Sequence, residues 1–124
     1  MNKITLITGA TSGIGKACAI HFAKHNHDLI ISGRRAERLQ KLATDLQEKY
    51  QVQVLTLAFD IRDKQATEKA IYSLEDKWKN IEILVNNAGL AAGLNTIQDG
   101  LIDDWEQMID TNIKGLLYMS RAIL

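Results

Sequence analysis

The chain has no proline, one cysteine and few aromatic residues, and its charges cancel. Lys plus Arg and Asp plus Glu number 15 each, so no basic field points to nucleic acid or an anionic membrane as the main partner. Cys18 alone cannot close an intrachain disulfide, and a reducing, cytoplasmic compartment is the simplest expectation. No apolar run approaches the roughly 18–20 residues needed to span a bilayer. Met1 to Leu6 enters a strand pattern almost at once, so no signal peptide is expected. Among the aromatics, Tyr72 and Trp78 read as helix-packing residues rather than a cofactor box. Without proline, the eight glycines are the main punctuation. There is no internal repeat, low-complexity tail or linker, and 124 residues give material for no more than one small domain.

Apolar periodicity orders the elements. Ile4 to Thr8 reads as a strand, and Gly13 to about His25 as a helix facing the sheet through Ile14, Ala17, Cys18 and Phe22. Leu29 to Ile31 is a short buried strand, Ala36 to Tyr50 a helix, and Val52 to Phe59 a third strand. Asp63 is placed to cap a helix carrying Ala66, Ala70, Ile71, Leu74 and Trp78. Ile81 to Val85 is a fourth strand, and Asp103 or Asp104 caps a last helix that runs to the end. Alternating strands and helices imply right-handed crossovers, a mostly parallel sheet in order 3-2-1-4, and helices on both faces. That is half of a doubly wound sheet plus the first strand of the other half. The apolar fourth strand would be an exposed edge, and Leu116 to Leu124 reads as mid-helix. Residues 1–124 are therefore expected to be the N-terminal part of a single domain.

The richest segment is Thr8-Gly9-Ala10-Thr11-Ser12-Gly13-Ile14-Gly15, between the first strand and the first helix. In this position glycines serve a pyrophosphate-binding turn. Gly9 would let the chain leave the strand tightly, Gly13 would let the backbone approach phosphate, and Gly15 would permit close helix–sheet contact. Free N–H groups at the helix start hold anions, and Thr11 and Ser12 add hydroxyl donors. Gly9, Thr11, Ser12, Gly13, Ile14 and Gly15 are thus candidate cofactor-binding residues. The magnesium-phosphate loop that needs Gly-Lys-Ser/Thr is excluded, because Gly15-Lys16 is followed by Ala17.

An NAD site places an acid at the end of the second strand, about 20 residues on, for the ribose hydroxyls. Here the stretch is Ile30-Ile31-Ser32-Gly33-Arg34-Arg35. A guanidinium fork suits a 2′-phosphate that a carboxylate would repel, so NADP(H) is favoured over NAD(H). Arg34 is the first candidate for that phosphate, Arg35 flanks the adenine side or faces solvent, and Ser32 adds a hydrogen bond. The plainer alternative pairs the arginines with Glu37 and nearby acids. Asp60, just past the third strand, either accepts a hydrogen bond from the adenine amino group or caps its own turn with Arg62 and Asp63. Ile61 would pack on adenine.

Three segments, Thr8–Gly15, Asn86-Asn87-Ala88-Gly89 and Asp110-Thr111-Asn112, together resemble the short-chain dehydrogenase/reductase family in its ordinary form. The resemblance covers the whole chain and implies a Rossmann-like three-layer α/β/α fold, here ending after the helix that follows strand 4. It implies an NADP(H)-dependent oxidoreductase, a homo-dimer or homo-tetramer, that moves hydride between nicotinamide and an alcohol or carbonyl substrate. The arginine stretch also looks like bacterial reductases acting on 3-hydroxy acids or serine-like substrates. By resemblance, Asn86, Ala88 and Gly89 support the adenosine half, and Asn112 is the catalytic asparagine at a helix kink. The remaining catalytic Ser, Tyr and Lys would lie beyond Leu124, and these 124 residues alone would have little activity.

A non-catalytic NADP-binding regulatory or scaffold protein is the competing reading, and Asn112 argues against it because cofactor binding does not require that residue. A sugar-nucleotide epimerase of the extended branch fits the Asn-Asn-Ala-Gly segment poorly. His21 and His25 share a helical face but lack the glutamate of a zinc-protease motif, so no metal is expected. Cys18 reads as a packing residue, and Tyr118, Met119 and Ser120 as packing or subunit-contact residues. The loop from Leu90 to Gly100 borders the expected cleft without a selective charge cluster.

Overall fold

The computed structural model describes residues 2–11, 13–88 and 100–124. Its order is β1 (Ile4–Thr8), α1 (Gly13–Lys24), β2 (Asp28–Gly33), α2 (Ala36–Tyr50), β3 (Val54–Ala58), α3 (Lys64–Tyr72), α4 (Asp76–Lys79), β4 (Ile81–Val85), α5 (Ile102–Ile109), a π-helical segment (Asp110–Gly115) and α6 (Leu116–Ile123). All strand pairs are parallel and the sheet order is β3-β2-β1-β4. Both the alternation and the order follow the sequence expectation.

Successive strand residues point to opposite faces, and the core divides accordingly. Ile7, Leu29 and Ile31 pack with Ala19 and Ala23 of α1 and with Leu39, Leu42, Ala43 and Leu46 of α2. Ile4, Leu6 and Ile30 pack on the other face with Ile71 of α3, Leu74, Trp78 of α4 and Met119 of α6. Each fully buried Leu or Ile contributes about 1.5–3 kcal/mol, so the central strands β1 and β2 anchor both layers. Strand β3 is only half-buried over most of its length, as befits an edge strand. Among the described residues no helix is long and apolar enough to cross a membrane.

The structure corrects several local expectations. Helix α1 turns Gly15, Ala19 and Ala23 to the sheet. Ile14 is 74% exposed and Ala17 is also exposed, while Cys18 and Phe22 flank the buried face. Gly15 must sit against the β1–α1 turn, and that contact sets the helix rotation in place of the larger apolar residues. Strand β2 extends beyond Leu29–Ile31, and β3 begins at Val54 rather than Val52.

Asp63 does cap α3, its Oδ1 accepting from Ala66 N at 3.1 Å. The single helix expected through Trp78 is instead two, because the chain breaks at Ser73. Ile71, Leu74 and Trp78 keep helical spacing across the break and enter one core, so periodicity did not reveal it. Helix α5 begins at Ile102, with Leu101 as a cap residue that makes no side-chain bond. Asp103 and Asp104 lie in its first turn, where negative charge still favours the helix N-terminus. The last helix is interrupted by the π-helical segment that holds Asn112. Met119 is fully buried in the cluster that also holds Leu6, Ile30 and Ile71, so it is a core residue and not one available to a subunit contact. Tyr72 is exposed rather than packed.

Candidate functional site at the carboxyl edge of the sheet

In a parallel sheet every strand ends on the same side, and ligands bind beyond those ends. A cavity of about 340 Å³ lies there. Its walls come from four strand ends, α5 and the π-helical segment: Thr8, Gly9 and Thr11; Ser32 to Arg35 with Arg38; Phe59 to Arg62; Asn87 and Ala88; Gln107 and Thr111.

The β1–α1 turn needs its glycines for different reasons. Gly9 has φ +61° and a Cβ there would come within 2.9 Å of Ala88 Cα. Gly15 has no room because a Cβ would strike the Gly9 carbonyl oxygen and the Asn87 side chain. Gly13 has φ +57°, but its missing Cβ faces open space. That open side at a helix N-terminus is a feature a bound phosphate needs.

The turn is locked to the chain after β4. Thr8 Oγ1 accepts from Asn87 N at 3.0 Å and Ala88 N at 2.9 Å, and donates to Val85 O at 3.4 Å. Asn87 Nδ2 donates to Gly9 O at 3.1 Å. Thr8→Val keeps the shape but leaves two backbone donors without their acceptor. It is expected to cost about 1–3 kcal/mol, read as a lowered urea midpoint, and Thr8→Ser is expected to retain most of that stability.

The β2 end is cationic. Arg34, Arg35 and Arg38 line the cavity. The ion pairs among the described residues join Arg62 to Asp60, Lys79 to Asp76 and Lys114 to Asp110, so these three arginines have none. Arg35 occupies the α2 N-cap without a side-chain cap bond, and positive charge there is locally unfavourable. Glu37 does not pair with them. At the β3 end, Asp60 is held by Arg62, with Nη2 to Oδ2 at 2.6 Å and Nε to Oδ1 at 3.0 Å. The hydrogen bonds from Arg62, with the Arg62 and Arg34 charges, hold the Asp60 carboxyl below the usual carboxylate range against the opposing effect of burial.

Of the sequence candidates, Gly9, Thr11, Ser32, Arg34, Arg35, Asp60, Ile61 and Ala88 come together at this cavity. Ser12 and Gly89 lie outside the described residues, as do residues 90–99. Gly13 and Gly15 shape the turn behind the cavity. Ile14 points to solvent. Asn86 donates through Nδ2 to Ser120 Oγ at 3.2 Å on α6, outside the cavity lining. Asn112 sits in the π-helical segment beside lining residue Thr111.

Sequence reasoning passed over Thr8, Asn87, Arg38, Gln107 and Thr111 as site residues, and considered Arg62 only as a turn partner. Arg38 was findable one helical turn after Arg34 and Arg35, and Gln107 and Thr111 share an i,i+4 face. Cys18 packs against the α1–α2 core. His27 Nδ1 and Thr5 Oγ1 share a hydrogen bond of 2.9 Å. An open glycine, hydroxyl-bearing walls and guanidinium groups without ion pairs among the described residues fit a phosphorylated dinucleotide.

Comparison with known proteins agrees with this geometry. The chain is 49% identical over 121 residues to the NADP-dependent 3-hydroxy acid dehydrogenase of Salmonella typhi, covering 98% of this chain and 47% of that protein. It is 48% identical over 124 residues to serine 3-dehydrogenase of Agrobacterium fabrum, covering 100% and 48% respectively. The chain thus spans about half the length of these relatives. Among solved structures, the closed form of serine dehydrogenase complexed with NADP+ superposes with a TM-score of 0.88 at 45% identity, over 98% of this chain and 47% of that one. The family model described as short chain dehydrogenase matches residues 3–124, and the chain belongs to that family.

Proposed function

We propose that residues 1–124 form the cofactor-binding part of a single-domain NADP(H)-dependent oxidoreductase. Its substrate is a small alcohol or carbonyl compound, with a 3-hydroxy acid the first candidate. The observation that carries the reading is the β2 end, where Arg34, Arg35 and Arg38 line the cavity without an ion-pair partner among the described residues and Ser32-Gly33-Arg34-Arg35 contains no acid. The names of the similar proteins, an NADP-dependent 3-hydroxy acid dehydrogenase and serine dehydrogenases, support the same cofactor and substrate class.

Within this reading the nicotinamide supplies the hydride chemistry. The β1–α1 turn with Thr11 and Ser12 holds the pyrophosphate, and Gly13 leaves room for it. Arg34 binds the 2′-phosphate, with Ser32 and Arg35 beside it. Asp60, Ile61, Asn86, Ala88 and Gly89 form the adenosine side. Asn112 is the catalytic asparagine, orienting a water for proton transfer at the substrate oxygen. The protein acts in the cytoplasm as a homo-dimer or homo-tetramer.

The test is calorimetric titration of the intact protein with NADP+ and NAD+, followed by an assay of NADPH consumption with small 3-oxo acids. Binding of NADP+ at least about tenfold tighter, a difference of about 1.4 kcal/mol, is expected, with carbonyl-dependent NADPH consumption. Equal affinities would overturn the cofactor assignment. Tight NADP+ binding without consumption of NADPH would favour a regulatory or scaffold protein.

A further inference from the structure

Asp60 and Arg62 are two residues apart on the turn after β3, and both line the cavity. Arg62 closes on the carboxylate from three donors. Its backbone N reaches Oδ1 at 3.0 Å, Nε reaches both oxygens at 3.0 and 3.1 Å, and Nη2 reaches Oδ2 at 2.6 Å. The Arg62 and Asp60 side chains are 31% and 35% exposed, so the pair is neither deeply buried nor fully screened. The charge of Asp110 in the π-helical segment also favours the Arg62 cation, and Asp110 is itself paired with Lys114 at 3.3 Å.

This arrangement matters because Asp60 is the one carboxylate among the described residues that line the cavity, and its turn adjoins the Arg34 end of β2, where Gly33 pairs with Ala58 and Phe59 N donates to Gly33 O at 3.0 Å. Arg34 and Asp60 line the same cavity, and the Arg34 charge adds to the lowering of the Asp60 pKa, yet the two form no ion pair. An unrestrained carboxylate there would be drawn to Arg34 and would neutralise a cation that the ligand's phosphate needs. A planar guanidinium fork is the side chain best suited to saturate both carboxylate oxygens at once.

We propose that Arg62 is a positioning residue for cofactor choice: by capturing the Asp60 carboxylate it keeps Arg34 unpaired for the 2′-phosphate. This rests on the NADP(H) reading above. Arg62 does not touch the phosphate itself, and it acts through Asp60. The prediction is therefore a coupling between two positions, visible in the ratio of NAD+ to NADP+ dissociation constants. Loss of an adenine contact would move both constants together and leave that ratio unchanged.

The experiment measures the ratio by calorimetry in the intact protein for wild type, Arg62→Gln, Asp60→Asn and the double variant. Arg62→Gln is expected to lower the preference for NADP+ about tenfold, with NAD+ affinity changed little. Asp60→Asn is expected to leave the ratio near wild type. The double variant is expected to recover most of the lost preference, because a neutral amide in place of the carboxylate cannot capture Arg34.

Failure of the double variant to recover would mean that Arg62 binds the phosphate directly or only supports the turn, and either result overturns the proposal. A ratio unchanged in Arg62→Gln would overturn it while leaving the cofactor reading intact. A wild-type protein without NADP+ preference would instead remove the cofactor reading itself. Arg62→Lys, which keeps a point charge but not the fork, guards against a misfolded Gln variant. It is expected to lose about two- to threefold of the preference, and loss as large as complete removal of the charge would count against the proposal.

Discussion

Replacing Arg34 with alanine is expected to weaken NADP+ binding about 10- to 100-fold and to leave NAD+ binding within about twofold of its starting value. The difference between the two cofactors is one phosphate, so an arginine that binds only that group changes only one affinity. Arg34 lies where β2 ends, lines the cavity, and forms no carboxylate ion pair among the described residues. Charge-assisted guanidinium–phosphate bonds are the strong class of hydrogen bond. Part of the interaction crosses solvent, so the preference is also expected to shrink as salt shortens the screening length to about 8–10 Å and below. Paired titrations with NADP+ and NAD+ at low and high ionic strength check both statements. A parallel loss of both affinities in Arg34→Ala would show instead that Arg34 supports the fold of the β2–α2 turn.

Gly15→Ala is expected to be the most destabilising conservative change at the site, costing about 3 kcal/mol, with NADP+ binding lost. The obstacle to the added methyl is the Gly9 carbonyl and the Asn87 side chain, and those two groups are bonded to each other. Backbone cannot rotate away as a flexible side chain can, so the helix start must move, and the Asn87–Gly9 bond goes with it. Gly13→Ala separates sterics from strain. Its Cβ meets nothing within 4 Å, so only the left-handed backbone of φ +57° opposes it, about 1–2 kcal/mol. That variant is expected to fold and to lose affinity, because the methyl fills the open side where phosphate would approach. Urea unfolding of the two variants, read with NADP+ calorimetry, checks the contrast. Equal stability for both would overturn the packing argument at Gly15.

The two glycines also mark where sequence reasoning stops. That Gly9, Gly13 and Gly15 form a turn between a first strand and a first helix was legible, because glycine spacing and apolar periodicity are local. Which of the three is excluded by packing and which faces open space was not, because that depends on Asn87 and Ala88, more than 70 residues away. The same holds at Arg62. The spacing Asp60-x-Arg62 permitted a turn pair, but the importance of that pair comes from Arg34, which the sheet brings alongside from the end of another strand.

Sequence alone determined the alternation of strands and helices, the parallel sheet with strand order 3-2-1-4, the glycine turn, the acid-free β2 end and the Asp63 cap. Each of these follows from short-range patterning and from the handedness of crossovers. Tertiary structure decided the rotation of α1, the break between α3 and α4, the π-helical segment at Asn112, and the burial of Met119. It also decided the hydroxyl of Thr8 as a clamp and Arg38 as a cavity residue. These depend on contacts between strand ends and helices far apart in the chain, where close packing rather than local propensity selects the outcome.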